Sequence, residues 1–153
     1  MHNARMTDLP PPASPLASPI VGVGAVILNQ DSEVVLIRRG KEPRRGEWSI
    51  PGGRLEWGET LHDALVREIH EETGLSVEIE GLIEVVDAVT RDTAGKVVRH
   101  YVLVDFVTRP VGGELCAASD AAEARWVPFA NLSEYSLWSE TRRIIEAAVR
   151  IRG

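Results

Sequence analysis

The sequence predicts an α/β domain, and three features of the chain support this fold class. Runs rich in β-branched residues, typical of strands, recur from Ile20 onwards. Residues 61–73 have the apolar periodicity of an amphipathic helix, and a second such pattern lies near the C-terminus. A chain of 153 residues can bury a sizeable core, and one domain is expected.

The strands predicted before the helix lie within residues 20–50. The runs IVGVGAVIL (20–28) and EVVLIRR (33–39) are separated by the polar turn NQDS, a pattern that predicts a hairpin. WSI (48–50) is a candidate short strand immediately before the glycine pair of the PGG sequence.

The helix itself has clear boundary signals. Thr60 followed by Asp63 resembles a capping box, with a short acid in place of the usual Glu or Gln. Gly74 is placed to end the helix in the left-handed conformation. We therefore expect the helix to run from Leu61 to Thr73.

After the helix, two long strand candidates are followed by a shorter one and a second helix. Residues 77–90 and 97–109 flank a turn in which Gly95 suits a hairpin. ARWVPF (124–129) is a late strand, and residues 139–151 form an amphipathic helix. The buried face of this helix is expected to consist of Ile144, Ile145, Ala148 and Val149.

The first nineteen residues differ in composition from the rest of the chain. Residues 1–19 contain five prolines, so an extended or flexible arm is expected before a domain that spans residues 20–153. An alternative is that the arm packs on the partner subunit of a homodimer. The arm lacks an apolar core of signal-peptide length, and residues 20–28 are too short to cross a bilayer. A cytoplasmic protein without a membrane partner is the default expectation.

The charge balance also limits the function. The net charge of −6 argues against a nucleic-acid polymer as partner, since such domains are usually basic. An acidic enzyme can still bind an anionic substrate if a metal ion supplies local positive charge. Cys116 is the only cysteine, so an internal disulfide and a thiolate metal cluster are both excluded.

Acidic residues occupy the wrong side of the first helix for a solvated face. At roughly 100° per residue, Glu68 and Glu72 fall within the apolar sector of Leu65 and Ile69, and Glu71 flanks it. Carboxylates one turn apart repel each other, and desolvating each costs several kcal/mol unless it is compensated. A bound divalent cation compensates both effects, and carboxylate ligands suit Mg²⁺ or Mn²⁺ better than zinc. The helix therefore predicts a metal site.

The same segment resembles a known family motif. Gly53, five residues, Glu59, seven residues and then REIHEETGL (67–75) resemble the Nudix box at every defining position. The strand order from about Ile20 to Arg150 is also similar to that of a Nudix domain. The resemblance implies an α/β/α sandwich with a central mixed β-sheet. It also implies hydrolysis of a nucleoside diphosphate linked to another group, X.

The resemblance also implies roles for individual residues. Arg67 would orient Glu59 through a charged hydrogen bond. The pair Gly52 and Gly53 would let the backbone come close to the metal ions and the substrate, because glycine adds no Cβ. The implied ligands of Mg²⁺ (or Mn²⁺) are the carboxylates of Glu68, Glu71 and Glu72 and the backbone carbonyl of Gly53.

The sequence leaves more than one candidate for the general base and for the residues that contact phosphate. Glu72 is one candidate base, and Asp120 or Glu123, shortly before the last strand, is another. Each loop acid could equally be a solvated surface carboxylate. Arg38 and Arg39 end a strand near the expected site, where they either contact phosphate or belong to a solvated loop. A tryptophan could stack on a nucleobase or pack in the core; the candidates are Trp48, Trp57, Trp126 and Trp138.

The flanking sequence favours one substrate class. The segments GVGAVIL, GEWSIPGG and HYVLVDF resemble compact bacterial Nudix proteins of the ADP-ribose pyrophosphatase-like branch. The resemblance implies ADP-ribose or a nucleotide sugar as substrate, giving a nucleoside monophosphate and phosphorylated X. The proline that often marks the ADP-ribose branch is absent, since Thr90 and Arg91 occupy that region. The alternatives are a nucleoside triphosphate pyrophosphatase and a nucleotide sensor without catalysis.

Overall fold

The computed structural model describes residues 18–42 and 44–153. Within them the elements are β1 (Ile20–Ile27), β2 (Glu33–Arg39), β3 (Trp48–Ser49), β4 (Gly52–Arg54), α1 (Leu61–Thr73), β5 (Ser76–Arg91), β6 (Val97–Gly112), β7 (Ala121–Pro128) and α2 (Ser139–Arg152). A 3-10 helix (Phe129–Glu134) follows β7 directly. The predicted arm, residues 1–19, lies outside the described residues except for Ser18 and Pro19.

The strands form two sheets that lie between the two α-helices. The four-stranded sheet has the order β4-β1-β6-β5, with β1 parallel to β6 and the other pairs antiparallel. The three-stranded sheet, β3-β2-β7, is antiparallel throughout. The predicted fold class is therefore confirmed as an α/β/α arrangement with a mixed sheet.

Successive side chains of the central strands point to opposite faces of the sheet, and this divides the core into two halves. Odd-numbered apolar residues of β1, such as Ala25, pack with Leu65 and Ile69 of α1. Even-numbered ones, such as Val26, pack with Ile144 of α2. Because both faces of β1 are covered, its sequence is continuously apolar and does not alternate in polarity.

The predicted hairpin between the first two strands is wrong. β1 and β2 share only the single bridge Leu28↔Val34, and their ladders run to different neighbours. The eight registered pairs between β1 and β6 give β1 its long-range partner. By contrast, the predicted hairpin of β5 and β6 is confirmed, with Gly95 at φ 85 in its turn.

Both predicted helices are present. α1 has the predicted bounds; Thr60 Oγ1 accepts a hydrogen bond from the Asp63 amide at 3.1 Å, and Gly74 is left-handed at φ 73. In α2 three of the four residues predicted for the buried face, Ile144, Ile145 and Ala148, are buried, and Val149 is half-buried against the same cluster. No helix in the described part of the chain has the length and apolarity needed to cross a membrane.

Candidate active site

The glutamates of α1 differ in their burial in the way that the helical rotation predicts. Glu72 is 4% exposed and lies next to the core residue Ile69. The Glu68 side chain keeps 17% of its exposure, and that of Glu71 keeps 46%. The inward orientation of Glu72 is therefore confirmed, and Glu71 flanks the buried stripe.

Glu72 is a buried carboxylate that is held by the backbone at the start of β4. Its Oε1 accepts a hydrogen bond from the backbone N–H of Gly52 at 2.9 Å. Burial raises the pKa of Glu72 to about 7, and the nearby charges of Glu68 and Asp120 add to that rise. The Gly52 hydrogen bond and the positive charge of Arg39 act in the opposite direction.

Glu68 lies against the backbone of Gly53. A Cβ added to Gly53 would come within 2.1 Å of the Glu68 Cδ, so only glycine leaves room for the carboxylate at this position. Burial also raises the pKa of Glu68, while Arg67 lowers it. Two carboxylates with raised pKa values thus lie on the buried side of one helix.

Arg67 organises the acids around the start of α1. Its Nε and Nη2 donate to the two oxygens of Glu59, both at 2.8 Å, in a bidentate pair. Its Nη1 contacts Glu68 at 2.8 Å and Glu71 at 3.4 Å, and its Nη2 also donates to the Arg54 carbonyl at 3.1 Å. The hydrogen bond from Arg67 lowers the pKa of Glu59 to about 2. The contact between Arg67 and Glu59 that the resemblance implied is thus present.

The segment before β7 brings one of the two candidate loop acids to the glutamates. The amide of Ala118 donates to the Glu72 carbonyl at 3.1 Å, which fixes this segment on the C-terminal end of α1. The charge of Asp120 raises the pKa of both Glu68 and Glu72, so Asp120 lies in their neighbourhood. Asp120 is exposed and forms an ion pair with Lys41 at 2.7 Å.

The other loop acid, Glu123, is engaged elsewhere. It pairs with Arg38 at 2.9 Å and with Arg125 at 2.8 Å. Arg38 therefore lies in a cross-strand ion pair, while the charge of Arg39 acts on Glu72. The structure thus separates the two arginines that the sequence grouped together.

The tryptophans occupy different environments. Trp57 is fully exposed at the turn before α1, and Trp126 packs against the core on the α1 side. The guanidinium of Arg125 lies over Trp48 at 4.9 Å, and that of Arg44 lies over Trp138 at 5.0 Å. Stacking of any tryptophan on a nucleobase stays a prediction.

The donor set fits a hard divalent cation, although the side chains do not converge as they stand. Among the described residues, no three acidic, His or Cys side chains form a group that could hold an ion together. Arg67 engages Glu68 and Glu71, and Gly52 engages Glu72, so binding requires these carboxylates to turn toward the ion. Carboxylate oxygens are the donors that Mg²⁺ and Mn²⁺ prefer, and a cation would relieve the mutual repulsion and burial of Glu68 and Glu72.

Two features of this region were missed in the sequence. β4 was not predicted because Gly52 and Gly53 have low strand propensity, yet they pair with Gly24 and Val23 of β1. Asp105, in β6, is a buried acid whose signal was an isolated carboxylate within an apolar strand run.

The chain is similar to known proteins over most of its length. A family model described as NUDIX domain matches residues 18–148. An ADP-ribose pyrophosphatase of Methanocaldococcus jannaschii is 40% identical over 74% of this chain and 64% of its own length. The human 8-oxo-dGDP phosphatase NUDT18 is 35% identical over 84% of this chain and 38% of its own. The chain thus spans less than two thirds of either relative.

A solved structure agrees with the fold. The MutT NUDIX hydrolase from Burkholderia pseudomallei superposes with a TM-score of 0.73 at 30% sequence identity, covering 85% of this chain and 98% of that one. Since the alignment covers nearly all of that chain and most of this one, the likeness extends over the domain and is not limited to one motif.

Proposed function

The chain belongs to the Nudix family, and from that premise we propose that it is a divalent-metal-dependent hydrolase of nucleoside diphosphates linked to X. The preferred substrate is ADP-ribose or a nucleotide sugar. Water attacks one phosphorus, and the bond from that phosphorus to the bridging oxygen breaks. The products are a nucleoside monophosphate and phosphorylated X. The buried Glu72 carboxylate, held beside a cluster of acids that Arg67 orders, is the observation that carries this proposal.

The side chains of α1 supply the metal site in this proposal. Glu68, Glu71 and Glu72, with the Gly53 carbonyl, would hold Mg²⁺ or Mn²⁺. Bound metal would neutralise the diphosphate charge and lower the pKa of its water. Arg67 orders this site from outside, because its bidentate contact with Glu59 fixes the guanidinium that touches Glu68.

We assign the proton-accepting role to Glu72. In the metal-free protein, burial raises the pKa of Glu72 to about 7. With metal bound, an oxygen of Glu72 that does not contact the ion would accept the proton of the attacking water. Asp120 contributes through its charge, which raises the pKa of Glu72 further. The exposed Asp120 carboxylate is engaged by Lys41 and is therefore the second choice as base.

The phosphate contact is assigned to Arg39. Its charge acts on Glu72, which supports a position of Arg39 near the proposed diphosphate site. Arg38, one residue earlier, pairs with Glu123 of β7, and its role is electrostatic support of β2. A guanidinium beside the acids would offset their repulsion of an anionic substrate.

The relatives support the choice of substrate class. The archaeal relative is named an ADP-ribose pyrophosphatase and is 40% identical, which favours ADP-ribose or a similar nucleoside diphosphate derivative. The human relative is named an 8-oxo-dGDP phosphatase and is 35% identical over more of this chain. A second candidate function is therefore hydrolysis of an oxidised or canonical nucleoside di- or triphosphate.

The test is a substrate panel with Mg²⁺ and product analysis by chromatography. The panel contains ADP-ribose, nucleotide sugars, dinucleotides, and canonical and oxidised nucleoside di- and triphosphates. Release of a nucleoside monophosphate from ADP-ribose or a nucleotide sugar supports the leading proposal. Turnover only of the di- or triphosphates would support the second candidate.

Glu72→Gln provides the matched control for that panel. It preserves the size of the side chain and the hydrogen bond from Gly52, and it should lower turnover by several orders of magnitude. Near-normal turnover in this variant would contradict the role of Glu72. Binding of nucleotides by the unaltered chain, with no turnover of any panel member, would instead favour the sensor alternative.

A further inference from the structure

Asp105 is a buried carboxylate that the proposed mechanism does not use. It lies in the middle of β6 and is 7% exposed. Its neighbours Val104 and Phe106 face the α1 half of the core, so the alternation of the strand places Asp105 on the α2 side. It is therefore on the opposite face of the sheet from Glu68 and Glu72.

The side-chain carboxylate of Asp105 has no hydrogen-bond partner among the residues that the structure describes. Buried carboxylates are normally hydrogen-bonded, because an unsatisfied one loses hydration without compensation. No side-chain oxygen in the described part of the chain is both fully buried and unpartnered, so the oxygens of Asp105 keep some access to solvent. The carboxylate is thus enclosed by protein but can still receive a donor from outside.

The charged groups nearest to Asp105 are already paired with each other. Glu84 lies opposite Asp105 on β5 and is bound by Arg143 of α2. Arg143 also contacts Glu140 at 2.6 Å. Burial raises the pKa of Asp105 to about 6, and the charge of Glu84 adds to this rise. Asp105 is therefore mostly ionised at neutral pH and acts as an acceptor.

Gly24 has no side chain and so leaves the space that the Asp105 carboxylate occupies. A Cβ on Gly24 would come within 2.4 Å of Asp105 Oδ1 and 3.1 Å of Ile50 Cδ1. Any larger residue at this position of β1 would displace the carboxylate. The structure thus combines an unpartnered carboxylate, Asp105, with the glycine that leaves room for it, Gly24.

The sheet register connects Asp105 to the candidate active site. Asp105 is registered with Gly24, and Gly24 is registered with Gly52, whose amide holds Glu72. Two strand spacings of about 4.8 Å separate the Cα atoms of Asp105 and Gly52 by about 10 Å. Gly52 begins the edge strand β4, so this row of residues ends at the edge of the sheet. A nucleotide whose diphosphate binds near Gly52 would pass this edge to reach Asp105 on the other face.

We propose that Asp105 selects the nucleobase of the substrate by accepting a hydrogen bond from the exocyclic amino group of adenine or cytosine. This inference rests on the proposed function in taking the ligand to be a nucleotide. An ionised carboxylate accepts from an amino group but repels the carbonyl oxygen that replaces it in a deaminated base. Adenine and cytosine present such an amino group, and hypoxanthine and uracil carry oxygen at the same position.

The experiment measures binding of nucleoside monophosphates, which lack the diphosphate bond that the protein is proposed to cleave. Dissociation constants from calorimetry are compared within two pairs, AMP against IMP and CMP against UMP. A hydrogen bond to a charged acceptor predicts roughly 10- to 100-fold tighter binding of the amino member in at least one pair. The pair that shows the preference distinguishes adenine from cytosine as the recognised base.

Asp105→Asn is the informative variant, because the amide offers both a donor and an acceptor. The preference within the pair should fall to about twofold or less. Glu84→Gln is the matched control: it removes the neighbouring negative charge but leaves the Asp105 acceptor, and it should keep the preference. Equal binding within both pairs by the unaltered chain, binding of neither pair, or an unchanged preference in Asp105→Asn would each overturn the proposal.

The wild-type comparison needs no variant, so a folding defect in Asp105→Asn would not remove the test. Failure of this inference is also separable from failure of the proposed function. If the protein hydrolyses ADP-ribose but binds the two members of each pair equally, only the role of Asp105 is contradicted. If it prefers the amino member of a pair but hydrolyses no diphosphate, only the proposed activity is contradicted.

Discussion

Arg67 shows how much of the site depends on the shape of one side chain. A guanidinium has donors in a fixed planar fork, so one residue can hold Glu59 through two bonds and still reach Glu68 and Glu71. A lysine at this position would carry the same charge but could not reproduce the fork. The geometry of the acids, and not only their neutralisation, therefore depends on arginine.

We predict that Arg67→Lys lowers turnover by roughly 10- to 100-fold, because Arg67 contacts the proposed metal ligands Glu68 and Glu71 and losing a group that orients ligands usually has this effect. The measurement is kcat/KM on the best substrate of the panel. Glu59→Gln serves as the partner in a double-mutant cycle, and the two losses should be clearly less than additive because they remove one contact. Additive losses would show that Arg67 does not act through Glu59.

Glu72 should make the stability of the metal-free protein fall as pH rises. Its pKa is raised from 4.5 to about 7 in the folded state, so the folded chain binds this proton more tightly than the unfolded chain. The stabilisation is full below pH 4.5 and is lost as pH rises through 7. The change between pH 5 and pH 8 is about 2.5 kcal/mol, from 1.36 kcal/mol per pKa unit.

The check on this is Glu72→Gln, unfolded by denaturant in the presence of a chelator. The variant should gain stability relative to the unaltered chain on going from pH 5 to pH 8, because glutamine has no charge to bury. If the difference in the free energy of unfolding between the two proteins stays constant with pH, the pKa of Glu72 is the same in the folded and unfolded states.

At the level of elements, the sequence predicted those features whose signals are local. The bounds of α1 follow from Thr60 and Gly74, which act within one turn of the helix. Strand pairing is set by contacts distant in sequence, and for that reason the hairpin of β1 and β2 was predicted wrongly. β4 could not be predicted from propensity, since glycines form it only where β1 supplies the pairing partner.

Gly53, the second residue of β4, gives a prediction about this element. In Gly53→Ala the new methyl group would displace the Glu68 carboxylate, since the Cβ position lies 2.1 Å from Glu68 Cδ. We expect activity to fall by at least tenfold and the midpoint of the Mg²⁺ dependence to rise, while the chain stays folded. Gly81→Ala, in β5, is the control, because its nearest neighbour is Val107 at 4.0 Å and its activity should not change. Equal losses in the two variants would indicate a general effect of alanine in strands.

On the scale of the whole molecule, the site is assembled from segments that are far apart in the chain. Gly52 comes from β4, Glu72 from α1, Asp120 from the segment before β7 and Arg39 from the end of β2. The Gly40 amide donates to the Asp120 carbonyl at 2.9 Å, which joins the last two segments. The helix pattern indicated the buried acids, but only the folded chain separates Asp120 from Glu123 and Arg39 from Arg38.

Because the acids meet only in the folded chain, a divalent ion bound there should stabilise the whole domain. Mg²⁺ at 100 times its dissociation constant would raise the free energy of unfolding by about 2.7 kcal/mol. For a domain of this size that corresponds to an increase in Tm of roughly 5–10 °C, measured by thermal unfolding with and without chelator. The double variant Glu68→Gln and Glu72→Gln should lose the shift while keeping a folded baseline, and NaCl at matched ionic strength controls for screening. If the double variant kept the full shift, the ion would be binding elsewhere, and the burial of Glu72 would need another explanation than a metal site.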